Sequence, residues 1–192
     1  MNDSATMLQE ARKYAISEIE KFGTPIPVHF EISEKKALEL AEILHADKTI
    51  THIGICLMDL KLGQALKDNI TEQHVQMSSD AANDFLESFD IDDDSKRKIV
   101  NCIEAHHGTI PFSCIEAEIC ANADCYRFIH PKGFFAYLTL LGKRNLSFAD
   151  CLTVSESKLD EKYGILSLDI CKKELDEYHQ TLKRYIAAAR NL

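Results

Sequence analysis

The stretch Ile99–Asp124, IVNCIEAHHGTIPFSCIEAEICANAD, decides the fold of this chain. Its first part has the apolar spacing of a helix with one buried face, and it ends in the paired histidines His106 and His107. After a short turn, a second helix is predicted that carries Asp124. Imidazole and carboxylate groups are common protein ligands of first-row divalent cations. The stretch therefore predicts a helical protein with a metal site where its helices meet.

Composition favours one soluble helical domain. A chain of 192 residues forms one large domain more readily than two small ones, and 45% apolar with 28% charged residues is ordinary for a globular protein. Four prolines and seven glycines favour long helices over a turn-rich β architecture. The formal charge of −9 argues against broad binding of a nucleic-acid backbone, but it allows a small phosphorylated substrate held by a few local cations.

The cysteines and the N-terminus bear on the compartment. The seven cysteines are scattered and form no C-x-x-C pair, which argues against a zinc ribbon or a thioredoxin-like site and favours free thiols in a reducing environment. The first residues lack the apolar core of a signal peptide, and no uncharged run approaches membrane-spanning length. We therefore expect a cytoplasmic protein without membrane association, whose oligomeric state stays open.

Apolar spacing predicts a series of amphipathic helices. Ser33, Asp94 or Ser95, and a Ser113–Glu116 capping box are the expected N-terminal caps of three of them. From Pro131 onward no pattern is typical of chemistry, and these segments are expected to pack around the preceding bundle. The predicted segments are Met7–Phe22, Ser33–Ala46, Thr51–Leu66, Thr71–Phe89, Ser95–His107, a helix from Ser113 through Asp124, an apolar run Phe134–Leu141, Ser147–Val154 and Ser167–Ala189.

Polar residues at core edges are the candidate ligands. His29 lies between a helix-breaking segment and Ser33, where it is free to point into the core or to remain a surface or capping histidine. Asp59 falls on an otherwise apolar helix face, and a buried carboxylate must be paired, hydrogen-bonded or metal-bound. His74, in the first turn of its predicted helix, borders the core face.

The residues of the opening stretch complete this set. His106 and His107 sit at the C-terminal edge of a buried face, and Gly108 is suited to end their helix. Asp124 shares a helix face with small residues such as Ala117 and Cys120, which leaves room for a metal with bound water. The alternative is a buried aspartate that accepts hydrogen bonds from the backbone or from a tyrosine.

The order of these residues resembles the HD-domain superfamily of metal-dependent phosphohydrolases. The stretch HVQMSSDAANDFLESF, the following RKIVNCIEAHHG and ICANADCYRF are similar to the middle and end of such domains. The resemblance covers roughly His29 to Phe128. It implies an all-α HD-domain helical bundle that spans residues 1–192 as a single domain, with the HD core at 27–130 and flanking helices at 1–26 and 131–192.

The chain departs from the family at the name-giving dipeptide. Where the family has His-Asp, this sequence has Met58-Asp59, and Lys61-Leu62 replaces the Gly-Lys that often follows. In family members the lost histidine binds a metal, and a methionine thioether is a poor ligand for hard or borderline cations. The resemblance implies a divalent cofactor (manganese, iron, magnesium, nickel and zinc are not distinguished). The ligand set that the resemblance implies, including the histidines of the binuclear branch, is His29, Asp59, His74, His106, His107 and Asp124.

The activity that the resemblance implies is hydrolysis of a phosphate ester in a nucleotide or another small phosphorylated metabolite. Asp59 and Asp124 would bind the metal, and Asp124 or a nearby histidine would accept a proton. Lys61, Arg127 and Lys132 are candidates to neutralise the substrate phosphate, although each is also consistent with an ordinary solvated charge.

Two other functions stay open at this stage. Met58 favours a catalytically impaired HD module that binds a metal, a nucleotide or a protein partner without turnover. Some HD-type bundles use paired iron to activate oxygen, which would require both metal positions to be filled. The sequence does not decide whether the chain is an enzyme.

Overall fold

Helices make up the regular structure of the chain. A computed structural model describes residues 3–191, and over that range no strand is formed. The predicted all-α fold is confirmed. In addition to a 3-10 turn at Thr71–Gln73, the helices are α1 (Asp3–Phe22), α2 (Pro27–Ile43), α3 (Lys48–Leu57), α4 (Leu62–Lys67), α5 (His74–Leu86), α6 (Asp93–Glu104), α7 (Ile115–Ile129), α8 (Pro131–Lys143), α9 (Phe148–Ile165) and α10 (Asp169–Arg190).

Helix α7 is the centre of the bundle. It packs against α2, α3, α6, α8, α9 and α10, and it is buried on nearly every side. Its small residues, among them Ala117, Ala121 and Ala123, allow these neighbours to approach closely. A helix that is apolar all round belongs in a core, and its few polar side chains then need partners there. Helix α7 therefore carries Asp124 and Arg127 into the middle of the protein.

Helix α2 begins earlier than the predicted cap at Ser33. Pro27 lies at its start, where a missing N–H costs nothing and the fixed φ angle suits a helix. Ser33 lies inside the helix, and its hydroxyl donates to the carbonyl oxygens of His29 and Phe30. The prediction that Ser33 caps the helix is wrong, and His29 instead lies in the first turn of α2, buried.

The predicted helix Thr51–Leu66 is divided into α3 and α4. Asp59 lies in the turn between them. The Lys61 amide donates to Ser78 Oγ on α5 at 3.0 Å, so a tertiary hydrogen bond replaces a helical one at this point. The turn re-aims the chain, and it allows the Asp59 carboxylate to face α5 and α7.

Helix α6 begins and ends before its predicted bounds. Asp92, and not Asp94 or Ser95, is its N-cap, and the Asp92 carboxylate accepts from the backbone amides of both later residues. The helix ends at Glu104, so His106 and His107 lie in the turn that follows. Gly108, with a φ angle of +66°, reverses the chain there.

The predicted capping box of the next helix is absent within the described range. Cys114 is the N-cap of α7 and makes no side-chain capping bond. The Glu116 carboxylate accepts from the backbone amide of Asp47 at 2.9 Å, so this side chain joins α7 to the start of α3. The tertiary partner therefore displaces the local one.

Helix α9 extends far beyond its predicted end at Val154. Ser147 caps it as expected, because its hydroxyl accepts from the Asp150 amide. The helix continues to Ile165 and packs against α7, with its buried residues at helical spacing. These are Cys151, Leu152, Ser155, Leu159 and Lys162.

Two further expectations concern thiols and membranes. All seven cysteines are free, as their scatter predicted. Over residues 3–191 no helix is both long and apolar enough to cross a lipid bilayer.

Candidate metal site and cleft

The Asp59 carboxylate is the point where two sets of side chains meet. It is only 7% exposed. Its Oδ1 lies 3.7 Å from His74 Nε2 and 3.5 Å from His106 Nε2. Its Oδ2 lies 2.6 Å from Arg127 Nη1. One oxygen therefore faces imidazoles and the other faces a guanidinium.

Backbone carbonyl groups fix the tautomers of two of the histidines. His74 Nδ1 lies 2.7 Å from the Thr71 carbonyl oxygen, and His106 Nδ1 lies 2.6 Å from that of Ile103. A carbonyl oxygen only accepts, so each Nδ1 carries a proton, and in the neutral ring each Nε2 presents a lone pair. Metal-binding histidines are commonly held in this way, because the bond from the second nitrogen fixes ring orientation and tautomer.

His107 completes the histidine cluster, as we call His74, His106 and His107. The ligand atoms of the three rings lie within 4.8 Å of one another. His107 Nε2 donates to His74 Nε2 at 3.1 Å, since that atom has no proton of its own. Lys162 Nζ lies 3.3 Å from His107 Nδ1 and donates to it. To bind a metal through Nε2, a neutral His107 would therefore have to move its proton to Nδ1, in place of the hydrogen bond from Lys162.

The histidine cluster and Asp59 Oδ1 fit a divalent cation. His106 is fully buried, and within the described residues its Nε2 has no hydrogen-bond partner. In the neutral ring the Nε2 lone pair would face a carboxylate oxygen at 3.5 Å, and a cation between these two acceptors would stabilise them. Imidazole nitrogens with one carboxylate oxygen suit zinc, iron, nickel and manganese.

Burial and neighbouring charges keep His74 and His107 uncharged. Burial lowers the pKa of His74 below its ordinary value. Burial, together with neighbouring His106 and the Lys162 ammonium, lowers the pKa of His107 to about 3. These two imidazoles are therefore neutral near pH 7, and neutral imidazole is the ligand form.

A second set of side chains, the carboxylate–cation group, consists of Asp59, Asp124, Arg127 and Lys162. Arg127 Nη2 contacts Asp124 Oδ1, and Lys162 Nζ lies 2.6 Å from Asp124 Oδ2. The Asp124 oxygens meet no hydrogen-bond geometry within the described chain, so these contacts pair charges by proximity and not by direction. All four groups are buried.

Charge pairing keeps both carboxyl groups ionised. Burial alone would raise the pKa of Asp59, but the Arg127 guanidinium together with His106 and His74 outweighs burial and holds that pKa well below the ordinary range. For Asp124 the same burial effect is outweighed by Arg127 and Lys162, which lower its pKa. The two aspartates and two cations therefore balance at neutral pH.

His29 lies apart from these carboxylates. Its Nε2 donates to the Gly133 carbonyl oxygen at 3.0 Å, and its ring meets Phe128 edge-on at 5.1 Å between centroids. Among the described residues, the groups that lie within 4.0 Å of an Asp59 or Asp124 oxygen do not include a ring nitrogen of His29. Burial, aided by the Arg127 charge, lowers the pKa of His29 to about 4. Glycine is required at 133 because a Cβ there would meet the Arg127 carbonyl oxygen at 2.3 Å.

Two predicted phosphate-neutralising residues lie elsewhere. Lys61 Nζ pairs with Glu18 at 3.0 Å and lies over the Tyr14 ring, because the turn after Asp59 directs it towards α1. Lys132 is exposed and lines a separate groove. Arg127, the third candidate, is 4% exposed, so its alternative as a solvated charge is wrong.

A cleft of about 240 Å³ opens beside both sets of side chains. Its wall includes Asp59, both His74 and His107, and also His29 from the opposite side. The apolar part of the wall includes two aromatic rings, and three cations besides Arg127 line the cleft. Other residues that line the cleft include Leu66, Phe128, Tyr137, Arg144, Lys158 and Lys162.

Sequence reasoning missed Lys162. This residue is 1% exposed, and its ammonium reaches both Asp124 and His107. A signal was present, because Lys162 follows Leu159 and Ser155 at helical spacing on the inward face of α9. The predicted helix ended too early at Val154 for that face to be recognised.

Comparison with known proteins supports the fold. No family model matches this chain. A curated relative, ribonuclease Y of Finegoldia magna, is 36% identical over 92 residues, which is 48% of this chain and 16% of that protein's length. The solved structure of Bacillus subtilis YpgQ, an HD-domain protein, matches with a TM-score of 0.69 at 17% identity, over 98% of this chain and 96% of the other. The fold is therefore that of a helical HD-domain protein.

Proposed function

We propose that this chain is a metal-dependent phosphohydrolase that acts on a nucleotide or another small phosphorylated metabolite. The observation that carries the proposal is the approach of three imidazoles to one another beside Asp59 Oδ1, at the wall of a cleft. The HD-type fold supports it. The name of the partial relative, ribonuclease Y, denotes an enzyme that acts on a phosphodiester polymer, which agrees with phosphate chemistry.

Contacts within the protein orient the side chains of the site without a bound ligand. His74 and His106 are oriented by their backbone carbonyl partners, and Asp59 is fixed by Arg127. A divalent ion bound here would lower the pKa of coordinated water and polarise a phosphoryl oxygen. Prior orientation matters because misplacing reacting groups by about an ångström costs on the order of 100-fold in rate.

The cleft suits a small anionic substrate with an apolar part. Phe128 and Tyr137 offer aromatic surface, while Arg144 and Lys158 add positive charge at the same wall. The chain's net charge of −9 opposes a long polyanion, so a small molecule is the better substrate. The cleft volume of about 240 Å³ has room for a small molecule but not for a folded partner.

Asp124 is better suited to hold cations than to accept a proton. It is fully buried and pairs with both Arg127 and Lys162, and these charges lower its pKa. A carboxylate with a lowered pKa is a weak base at neutral pH. In this proposal Asp124 therefore positions two cations beside the cleft.

Activity of the metal-loaded protein towards a panel of nucleotides and sugar phosphates tests the proposal. Released phosphate is measured for wild type, for His106→Ala and for Lys132→Ala, a control outside the cleft. We expect turnover in wild type and the control, and a loss of about 100-fold or more in His106→Ala, since that variant removes a buried ligand. Turnover that survives both His106→Ala and a chelator would contradict the proposal.

A second candidate function is a non-catalytic HD module. Its support is that Met58 replaces the dipeptide histidine and that cations already occupy the oxygens of both aspartates. The same panel separates the two functions. Metal bound at the histidine cluster without turnover of any panel member would favour the module.

A further inference from the structure

We infer that Arg127 and Lys162 take the place of the first metal ion of an HD site, so that this chain has a position for one metal ion, at the histidine cluster. The resemblance implies a first metal on His29, Asp59, Asp124 and the histidine that Met58 replaces. The residues present do not fit that ion. The inference goes beyond the proposed function and does not depend on turnover.

Charge balance is the first argument. The two carboxylates bring two negative charges into a buried space, and a divalent metal would normally compensate them. Here the guanidinium of Arg127 and the ammonium of Lys162 bring two positive charges to the same oxygens. The charges of the two carboxylates are therefore balanced without a metal ion between them.

Geometry is the second argument. Arg127 Nη1 lies 2.6 Å from Asp59 Oδ2, and its Nη2 contacts Asp124 Oδ1, so the planar guanidinium bridges the two carboxylates. Lys162 Nζ takes the remaining Asp124 oxygen at 2.6 Å. The oxygens that would bind a shared metal therefore contact protein cations already.

The other two residues at the ligand positions of the first metal, His29 and Met58, are also unsuited to bind it. His29 Nε2 donates to the Gly133 carbonyl oxygen. Within residues 3–191, the ring nitrogens of His29 are not among the groups that lie within 4.0 Å of an Asp59 or Asp124 oxygen. Met58 is buried, but its thioether is a poor ligand for hard or borderline cations.

The histidine cluster shows the opposite situation. Asp59 Oδ1 is the oxygen nearest to His74 and His106, whereas Arg127 lies nearest to Oδ2, and within the described residues His106 Nε2 has no hydrogen-bond partner. One half of the site thus carries its own cations, while the other half presents lone pairs that need one.

Metal stoichiometry tests the inference. Wild type, His29→Ala, Met58→His and His106→Ala are dialysed against Mn²⁺, and bound metal per chain is measured by elemental analysis and by electron paramagnetic resonance. We expect one equivalent, with the signal of an isolated ion, in wild type, His29→Ala and Met58→His, and none in His106→Ala. Loss of metal in His29→Ala, or a second equivalent in wild type or in Met58→His, would overturn the inference. Absence of metal from wild type would overturn the metal position inferred at the histidine cluster.

Removal of the bridging cation gives a complementary test. Arg127→Gln leaves Asp59 and Asp124 short of one positive charge, so that their oxygens become available to an added cation. We expect a second Mn²⁺ equivalent in folded Arg127→Gln, but not in Arg97→Gln, which removes an exposed arginine paired only with Asp94. A folded Arg127→Gln protein that still binds one equivalent would count against the inference. If this variant does not fold, the His29 and Met58 variants decide.

Discussion

Replacement of Lys162 by methionine tests the carboxylate–cation group through stability. Methionine has a similar length and is apolar, so the change removes the charge with little change in packing. Asp124 is fully buried and its Oδ2 loses the ammonium at 2.6 Å. Breaking a buried ion pair costs about 3–5 kcal/mol. Because Arg127 still contacts Oδ1, we expect the lower end, about 3 kcal/mol, which is a large share of the roughly 5–15 kcal/mol of a typical domain.

Urea unfolding of metal-free protein measures this loss, and the same helix offers a control. Lys158 precedes Lys162 by one turn, and its side chain is 29% exposed and paired with Glu161. An exposed pair contributes at most about 1 kcal/mol, so Lys158→Met should change the free energy of unfolding little. The double variant Lys162→Met/Asp124→Asn should recover part of the loss, because it removes both charges.

The stability that Lys162→Met loses relative to wild type should depend on pH in one direction. The pKa of Asp124 is lowered in the folded protein, so its contribution is present above the unfolded pKa and is lost as the pH falls through the folded value. Without Lys162 that pKa rises, and the deficit of Lys162→Met should shrink as the pH falls below about 5. A deficit within about 1 kcal/mol of Lys158→Met, or one that does not vary with pH, would refute the reasoning.

Three further predictions concern other parts of the site. The pKa of His29 is about 4 in the folded protein against an ordinary 6.5, so His29 alone should contribute about 2 kcal/mol to the fall in the free energy of unfolding between neutral pH and about pH 5. Chemical unfolding of His29→Gln over that range should show a fall that is smaller than in wild type by this amount. Gly133→Ala should cost about 1–3 kcal/mol because its Cβ meets the Arg127 backbone, whereas Gly142→Ala on the same helix has open space and should not destabilise, as thermal unfolding would show. Mn²⁺ at about 100 times its dissociation constant should stabilise wild type by about 2.7 kcal/mol and His106→Ala not at all, and equal shifts in both proteins would place the ion elsewhere.

The sequence was sufficient to predict the helices, whereas the grouping of His74 with His106 and His107 was implied by the resemblance to HD domains. Helical periodicity is a local property, and it indicated the buried helix faces next to which His106 and Asp124 lie. The expectation that Asp59 is buried and paired also follows from local composition, because a carboxylate in an apolar run must find a partner. These features needed no knowledge of which helices pack together.

Tertiary partners account for what the sequence did not predict. The division between α3 and α4 depends on a hydrogen bond from Lys61 to Ser78, which no local pattern reveals. Glu116 likewise prefers the Asp47 amide to a local capping box. The pairing of Lys162 with Asp124 joins α9 to α7, and helix-propensity rules say nothing about such a contact.

The role of Arg127 is the most instructive difference. Its position one turn after Asp124 was visible in the sequence, and a role towards substrate phosphate was predicted from it. In the structure its guanidinium bridges two carboxylates, which leaves little of its charge free for a substrate. Spacing along a helix indicated which residue lies nearby, but only the fold places Asp59 on its other side.

Anomalous diffraction from crystals equilibrated with Mn²⁺ would test the central claim most directly. We predict one anomalous peak among His74, His106, His107 and Asp59 Oδ1, with Arg127 still bridging Asp59 and Asp124. A peak between His29 and the two aspartates, with the guanidinium displaced, would contradict the account.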